Sequence, residues 1–152
     1  MSTPTFGFSV GDFVTVATLI WKLCNALNDA SEDSKIFRDV QVELFAFHGV
    51  MVQLQQSIRN AVALPETEWI IVKKTLQQTM ATIEEFSDYI DTFKAGPSDV
   101  EGTQAISNWK KRVVWSFSGG KKIKNFRESM QRYSALLTLT LQSFNKFVHY
   151  LR

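Results

Sequence analysis

Apolar residues return every three or four positions along this chain rather than at every second one, which is the spacing of helices that bury one face. The pattern predicts an all-α fold, an up-and-down bundle of four to five helices: three long ones, a shorter N-terminal one, and a short helical elbow near 104–118. The first helix is predicted to open at Ser9-Val10-Gly11-Asp12, where Ser9 caps free N–H groups, Asp12 reaches back, and Phe8 and Phe13 form a hydrophobic staple. It runs to about Asn28, and the polar stretch from Asp29 to Asp33 turns the chain.

The second helix, about 33–61, carries Phe37, Val40, Leu44, Phe47, Met51, Leu54 and Ile58 in an unbroken alternation of three and four. Pro65 suits the first turn of a third helix, where its missing N–H is no loss, and Glu66 and Glu68 complement the positive end of the dipole. The third seam is Trp69, Val72, Leu76, Met80, Ile83, Phe86, Ile90 and Phe93, ended by Gly96-Pro97. Gly96 to Thr103 reads as the longest loop, Gln104 to Ser118 as the elbow, and Gly119-Gly120 as the break before the last helix. That helix has the seam Ile123, Phe126, Met130, Tyr133, Leu137, Leu141, Phe144, Val148 and Leu151, still periodic at its end, so the 1–152 domain is expected to be the N-terminal part of a longer protein.

Composition narrows the function. A chain of 152 residues with 45% hydrophobic residues can build one core without disulfides or a structural metal, and its single Cys24 has no partner for a disulfide. His48 and His149 are too few to complete a zinc site with it, so neither metal nor cofactor is expected. No stretch reaches the roughly 18 consecutive apolar residues of a spanning helix, and the N-terminus lacks a basic signal region, which predicts a cytoplasmic resting state. Nucleophilic catalysis finds no Ser or Cys placed beside a base, so no catalytic residue is assigned. Ser118-Gly119-Gly120-Lys121-Lys122 lacks the upstream glycine, the hydroxyl residue and the preceding strand of a phosphate loop. Glu84, Glu85, Asp88 and Asp91 read as a solvated acidic face.

Two features exceed what a bundle needs. From Phe13 to Trp21 there is no charge, and Lys22 is the only one between Asp12 and Asp29. One face holds Phe13, Ala17, Ile20, Cys24 and Leu27, while the opposite side offers Val14, Leu19 and Trp21, diluted by Thr15, Thr18 and Asn25. A helix apolar almost all round is either sandwiched in the bundle or made for a membrane or a partner. The second feature hides behind a net charge of +2: the 18 residues from Lys110 to Arg127 hold seven basic and no acidic side chains, and the rest of the chain sums to −5. Lys110, Lys111, Arg112, Lys121, Lys122, Lys124 and Arg127 are interleaved with Trp109, Trp115 and Phe117. Lysines at a helix N-terminus oppose the macrodipole at about 0.3–1 kcal/mol each, an arrangement that an anionic ligand relieves. Tryptophan partitions to the boundary of headgroups and acyl chains, so the block points to anionic lipid, and the absence of a groove-reading motif argues against nucleic acid.

Phe6-Gly7-Phe8-Ser9-Val10-Gly11-Asp12-Phe13, the apolar run to Trp21, and Val113-Val114-Trp115-Ser116-Phe117 before Lys121-Lys122-Ile123 resemble the HeLo and HeLo-like N-terminal domains of fungal NOD-like (STAND) receptors. The resemblance implies a helical cell-death or heterokaryon-incompatibility effector of innate immunity, fused to a C-terminal nucleotide-binding oligomerisation region or a prion-like tail. It also implies that the N-terminal helix is released on self-association and permeabilises the plasma membrane. Carried onto this chain, the inserting segment spans Phe8 to Leu27, with Phe8, Phe13, Val14, Ala17, Leu19, Ile20, Trp21 and Leu27 entering the bilayer. The alternative is a homotypic signalling adaptor or oligomerisation domain that never touches lipid.

Overall fold

A computed structural model describes residues 10–28, 35–59, 65–94 and 120–151. Apart from Pro65 and Gly120, all of these are helical. The elements are α1 (Val10–Asn28), α2 (Lys35–Arg59), α3 (Glu66–Lys94) and α4 (Lys121–Leu151). The predicted elbow over 104–118 and the Ser9 cap with its Phe8 staple lie outside the described residues. The two flanking residues start their helices through the backbone: the Pro65 carbonyl accepts from the Trp69 N–H and the Gly120 carbonyl from the Lys124 N–H, each at 3.2 Å. Pro65 thus precedes the first turn instead of sitting in it.

Chain direction alternates, as the pattern predicts. Trp21 meets Phe45 and the Cys24 carbonyl accepts from Gln41, so α2 runs back along α1. Thr82 with Tyr133, Phe86 with Phe126 and Glu68 with Ser143 set α4 antiparallel to α3. The link from Arg59 to Glu66 reaches at most about 25 Å, less than the roughly 37 Å length of α2, so α3 starts where α2 stops. The order in space departs from the order in sequence. Packing runs α1 on α2, α2 on α4, α4 on α3 and α3 on α1. Consecutive α2 and α3 therefore sit at opposite corners, and α2 and α4 lie side by side and parallel.

One apolar cluster fills the centre. Phe37, Val40, Leu44, Phe47, Met51 and Leu54 of α2 are all buried, as their spacing predicts, while Ile58 packs at the margin. In α3, Val72, Leu76, Ile83, Phe86 and Ile90 are buried, but Trp69 and Met80 are only partly so; Thr75 and Thr79 take inner positions instead. Their hydroxyls donate to the carbonyls four residues back, Ile71 and Thr75, both at 2.7 Å, so neither is left unsatisfied. In α4, Thr140 does the same toward Leu136 and is buried where the seam predicted Leu141. The Phe86 and Phe126 rings stack with centroids 4.1 Å apart and pin α3 to α4.

Candidate functional site

Of the residues predicted to insert, Phe13, Ile20 and Leu27 face the core with Val16, Leu23 and Cys24, and Ala17 and Leu19 pack against its edge. Phe8 lies outside the described residues. Val14 and Trp21 are 56% and 53% exposed, on the flank of α1 that borders α2, where Trp21 sits edge-on to Phe45 with centroids 5.8 Å apart. The expectation of a helix apolar almost all round needs correcting. Its outward stripe is Thr15, Thr18, Lys22 and Asn25, all exposed, so α1 is amphipathic and docked, not sandwiched. The Thr15 and Thr18 hydroxyls donate to the Gly11 and Val14 carbonyls at 2.8 and 2.9 Å, so both are satisfied within the helix. Among the described residues, no helix is long and apolar enough to cross a membrane.

The basic block is divided. Trp109, Lys110, Lys111, Arg112 and Trp115 lie outside the described residues. Lys121, Lys122 and Lys124 are exposed on the first turn of α4, where Gly120 brings no capping side chain and helix geometry leaves the first N–H groups without intrahelical partners. Lys122 already has a contact, its Nζ lying 4.7 Å from the centroid of the Tyr89 ring. Beside it, Thr82, Glu85, Asn125 and Ser129 line a cleft of about 190 Å³ between α3 and α4. Glu85 and Lys122 both line this cleft, so it carries charges of both signs.

Arg127 departs from the expected role. Its Nε donates to both Glu43 carboxylate oxygens at 3.0 and 3.1 Å, and its Nη2 to Oε1 at 2.6 Å, tying α4 to α2. Hydrogen bonding to Glu43 raises the guanidinium pKa further, and the charges of Glu43 and Asp39 add to the rise. In the closed bundle Arg127 is thus partly exposed and paired, its charge balanced by Glu43 at the edge between α4 and α2. Sequence reasoning had no means of pairing two residues 84 positions apart.

Among the described residues, no three His, Cys, Asp or Glu side chains stand close enough to hold a metal ion. Burial pushes the Cys24 thiol up to about 11, which keeps it protonated and unreactive at neutral pH. The reading missed the outer face of α2, where Val42 and Phe45 are exposed beside Ala46 and Gly49. Their i, i+3, i+4, i+7 spacing was present as a signal. Compared with known proteins, the chain matches no family model, no curated relative and no solved structure.

Proposed function

We propose that this bundle is a cell-death effector domain of the HeLo-like kind, held closed at rest and acting on acidic membranes after self-association. The observation that carries the reading is the build of α1. Its inner face is wholly apolar, Val14 and Trp21 extend that face toward α2, and the outer threonine hydroxyls are bonded within the helix. Once undocked, such a helix lies in the membrane interface with Phe13, Val16, Ile20, Leu23 and Leu27 down and Lys22 and Asn25 up. Lys121, Lys122 and Lys124, with the basic residues from Lys110 to Arg112, supply the attraction to anionic headgroups, at roughly 1 kcal/mol each before losses. Release of contents from acidic vesicles by the chain fused to an inducible oligomeriser tests this reading. Val14→Glu with Trp21→Glu alters positions exposed at rest, so the fold is spared, and leakage should fall to the level of the untriggered protein.

A second reading, an adaptor that recruits other helical domains without touching lipid, is favoured by the apolar outer face of α2. Co-sedimentation of the oligomerised chain with acidic vesicles at low salt separates the two: binding that salt reverses supports the membrane reading, and no binding supports the adaptor.

A further inference from the structure

The outer face of α2 carries an uncharged stretch in the middle of the helix, with charges only toward its ends. The outward stripe of α3 reads Ile70, Lys74, Gln77, Ala81, Glu84, Asp88 and Asp91, so its apolar members are separated by polar or charged ones. On α2 the outward positions Val42, Phe45, Ala46 and Gly49 form a single uncharged stripe, with Val42 65% and Phe45 47% exposed. Trp21 extends the stripe on the α1 side. On the α4 side a groove of about 570 Å³ runs between Ala46, Ala135 and Leu139, the last 62% exposed. Glu43, which lines this groove, is paired with Arg127 of α4. Gly49 adds a separate oddity. A glycine inside a helix is unfavourable relative to alanine, yet a methyl group built there would meet nothing within 4 Å. Among the described residues, no packing contact calls for it.

We infer that this stripe is a two-fold interface between two copies of the closed bundle, with α2 packed antiparallel on α2. The order of side-chain sizes selects this occupant. Along the stripe the sequence reads large, large, small, small, which is its own complement when inverted. An antiparallel pairing centred between Phe45 and Ala46 sets Val42 of one copy over Gly49 of the other and Phe45 over Ala46, so each bulky residue enters the space beside a small one. The same register sets Arg38 opposite Gln53 and Lys35 opposite Gln56, all exposed on that side, so no like charges meet. A parallel pairing would stack Arg38 on Arg38, Phe45 on Phe45 and Gly49 on Gly49. A contact of one helix on another is at the small end of protein interfaces, so the association is reversible and depends on concentration. The interface is a property of the folded bundle and does not depend on the membrane reading.

Cysteine cross-linking of the 152-residue chain tests the register directly. Val42→Cys and Gly49→Cys are prepared separately, and Cys24 is buried and does not compete. Under mild oxidation a mixture of the two variants should give a disulfide-linked dimer, while each alone should give at least about tenfold less, because antiparallel packing holds like positions apart by some two helical turns. Cross-linking of each variant alone, as strongly as the mixture, would overturn the antiparallel register, and none in the mixture would overturn the interface. Sedimentation velocity of the unmodified chain gives an independent reading. The average mass should rise with concentration and stay that of a monomer for Ala46→Arg, an exposed position whose change leaves the helical circular dichroism intact. A wild-type chain that remains monomeric at every concentration, or an Ala46→Arg chain that associates equally well, refutes the proposal.

Discussion

Replacing Glu43 with Gln removes one charge and leaves Arg127 facing a neutral amide, a perturbation with a structural and a functional consequence. Three N–H···O contacts of 2.6 to 3.1 Å join the two side chains, and these are 34% and 25% exposed. An exposed ion pair is worth about 0–1 kcal/mol and a hydrogen bond to a charged group about 1.5–3 kcal/mol. A forked pair with partial solvent access falls between, so a double-mutant cycle of Glu43→Gln with Arg127→Met should give a coupling of about 1–2 kcal/mol. In a domain of this size, the single Glu43→Gln change should lower Tm by roughly 3–6 °C. The freed guanidinium should also bind acidic vesicles better, by about 1 kcal/mol or roughly fivefold at low salt, an increase that 0.5 M salt removes. The assay pairs urea denaturation for the cycle with vesicle sedimentation for the gain. A coupling within error of zero would refute the tie between α4 and α2. Unchanged vesicle binding by a destabilised Glu43→Gln variant would refute the view that Arg127 is withheld from anions.

Other outcomes follow from the core and from Cys24. Leu76→Ala empties a fully buried position and should cost about 2–5 kcal/mol by denaturation, whereas Leu139→Ala, 62% exposed, should change stability by under about 0.5 kcal/mol. The Cys24 thiol ionises near 9.0 in the unfolded chain and at about 11 in the bundle, so the folded state binds the proton more tightly. Its contribution is fully present below pH 9 and is lost as the pH rises toward 11. The stability difference between wild type and Cys24→Val should shift by up to roughly 2–3 kcal/mol across that window, and a flat difference would contradict burial as the cause. Native Cys24 should also resist a thiol reagent at pH 8 until the chain is unfolded.

How far the sequence was legible depended on contrast. The α2 seam from Phe37 to Leu54 stood out because apolar positions alternate with Arg38, Asp39, Gln41 and Glu43, and every one of those apolar residues is buried. In α1 the contrast is missing. Val16 and Leu23 belong to the core although neither was placed on the inner face, and the polar stripe of Thr15, Thr18, Lys22 and Asn25 was diluted by its apolar neighbours. Thr75, Thr79 and Thr140 escaped because a hydroxyl bonded to the carbonyl four residues back packs like a small branched apolar group, which periodicity does not register. The order of packing around the bundle, with α2 beside α4, is set by three-dimensional fit and leaves no mark in the spacing of any single helix. The Glu43–Arg127 tie depends on that order and was hidden for the same reason.

In the proposed function, α1 leaves its seat on α2 and α3 to act on lipid. A disulfide that locks it there tests this most directly. Trp21→Cys with Phe45→Cys joins the exposed flank of α1 to α2, at positions whose rings are already in contact. Triggered by a fused oligomeriser, the reduced variant should release the contents of acidic vesicles more than the oxidised variant does, and adding reductant to the oxidised sample should restore leakage within the same experiment. Equal leakage from the locked and unlocked forms, with the cross-link verified, would contradict the account.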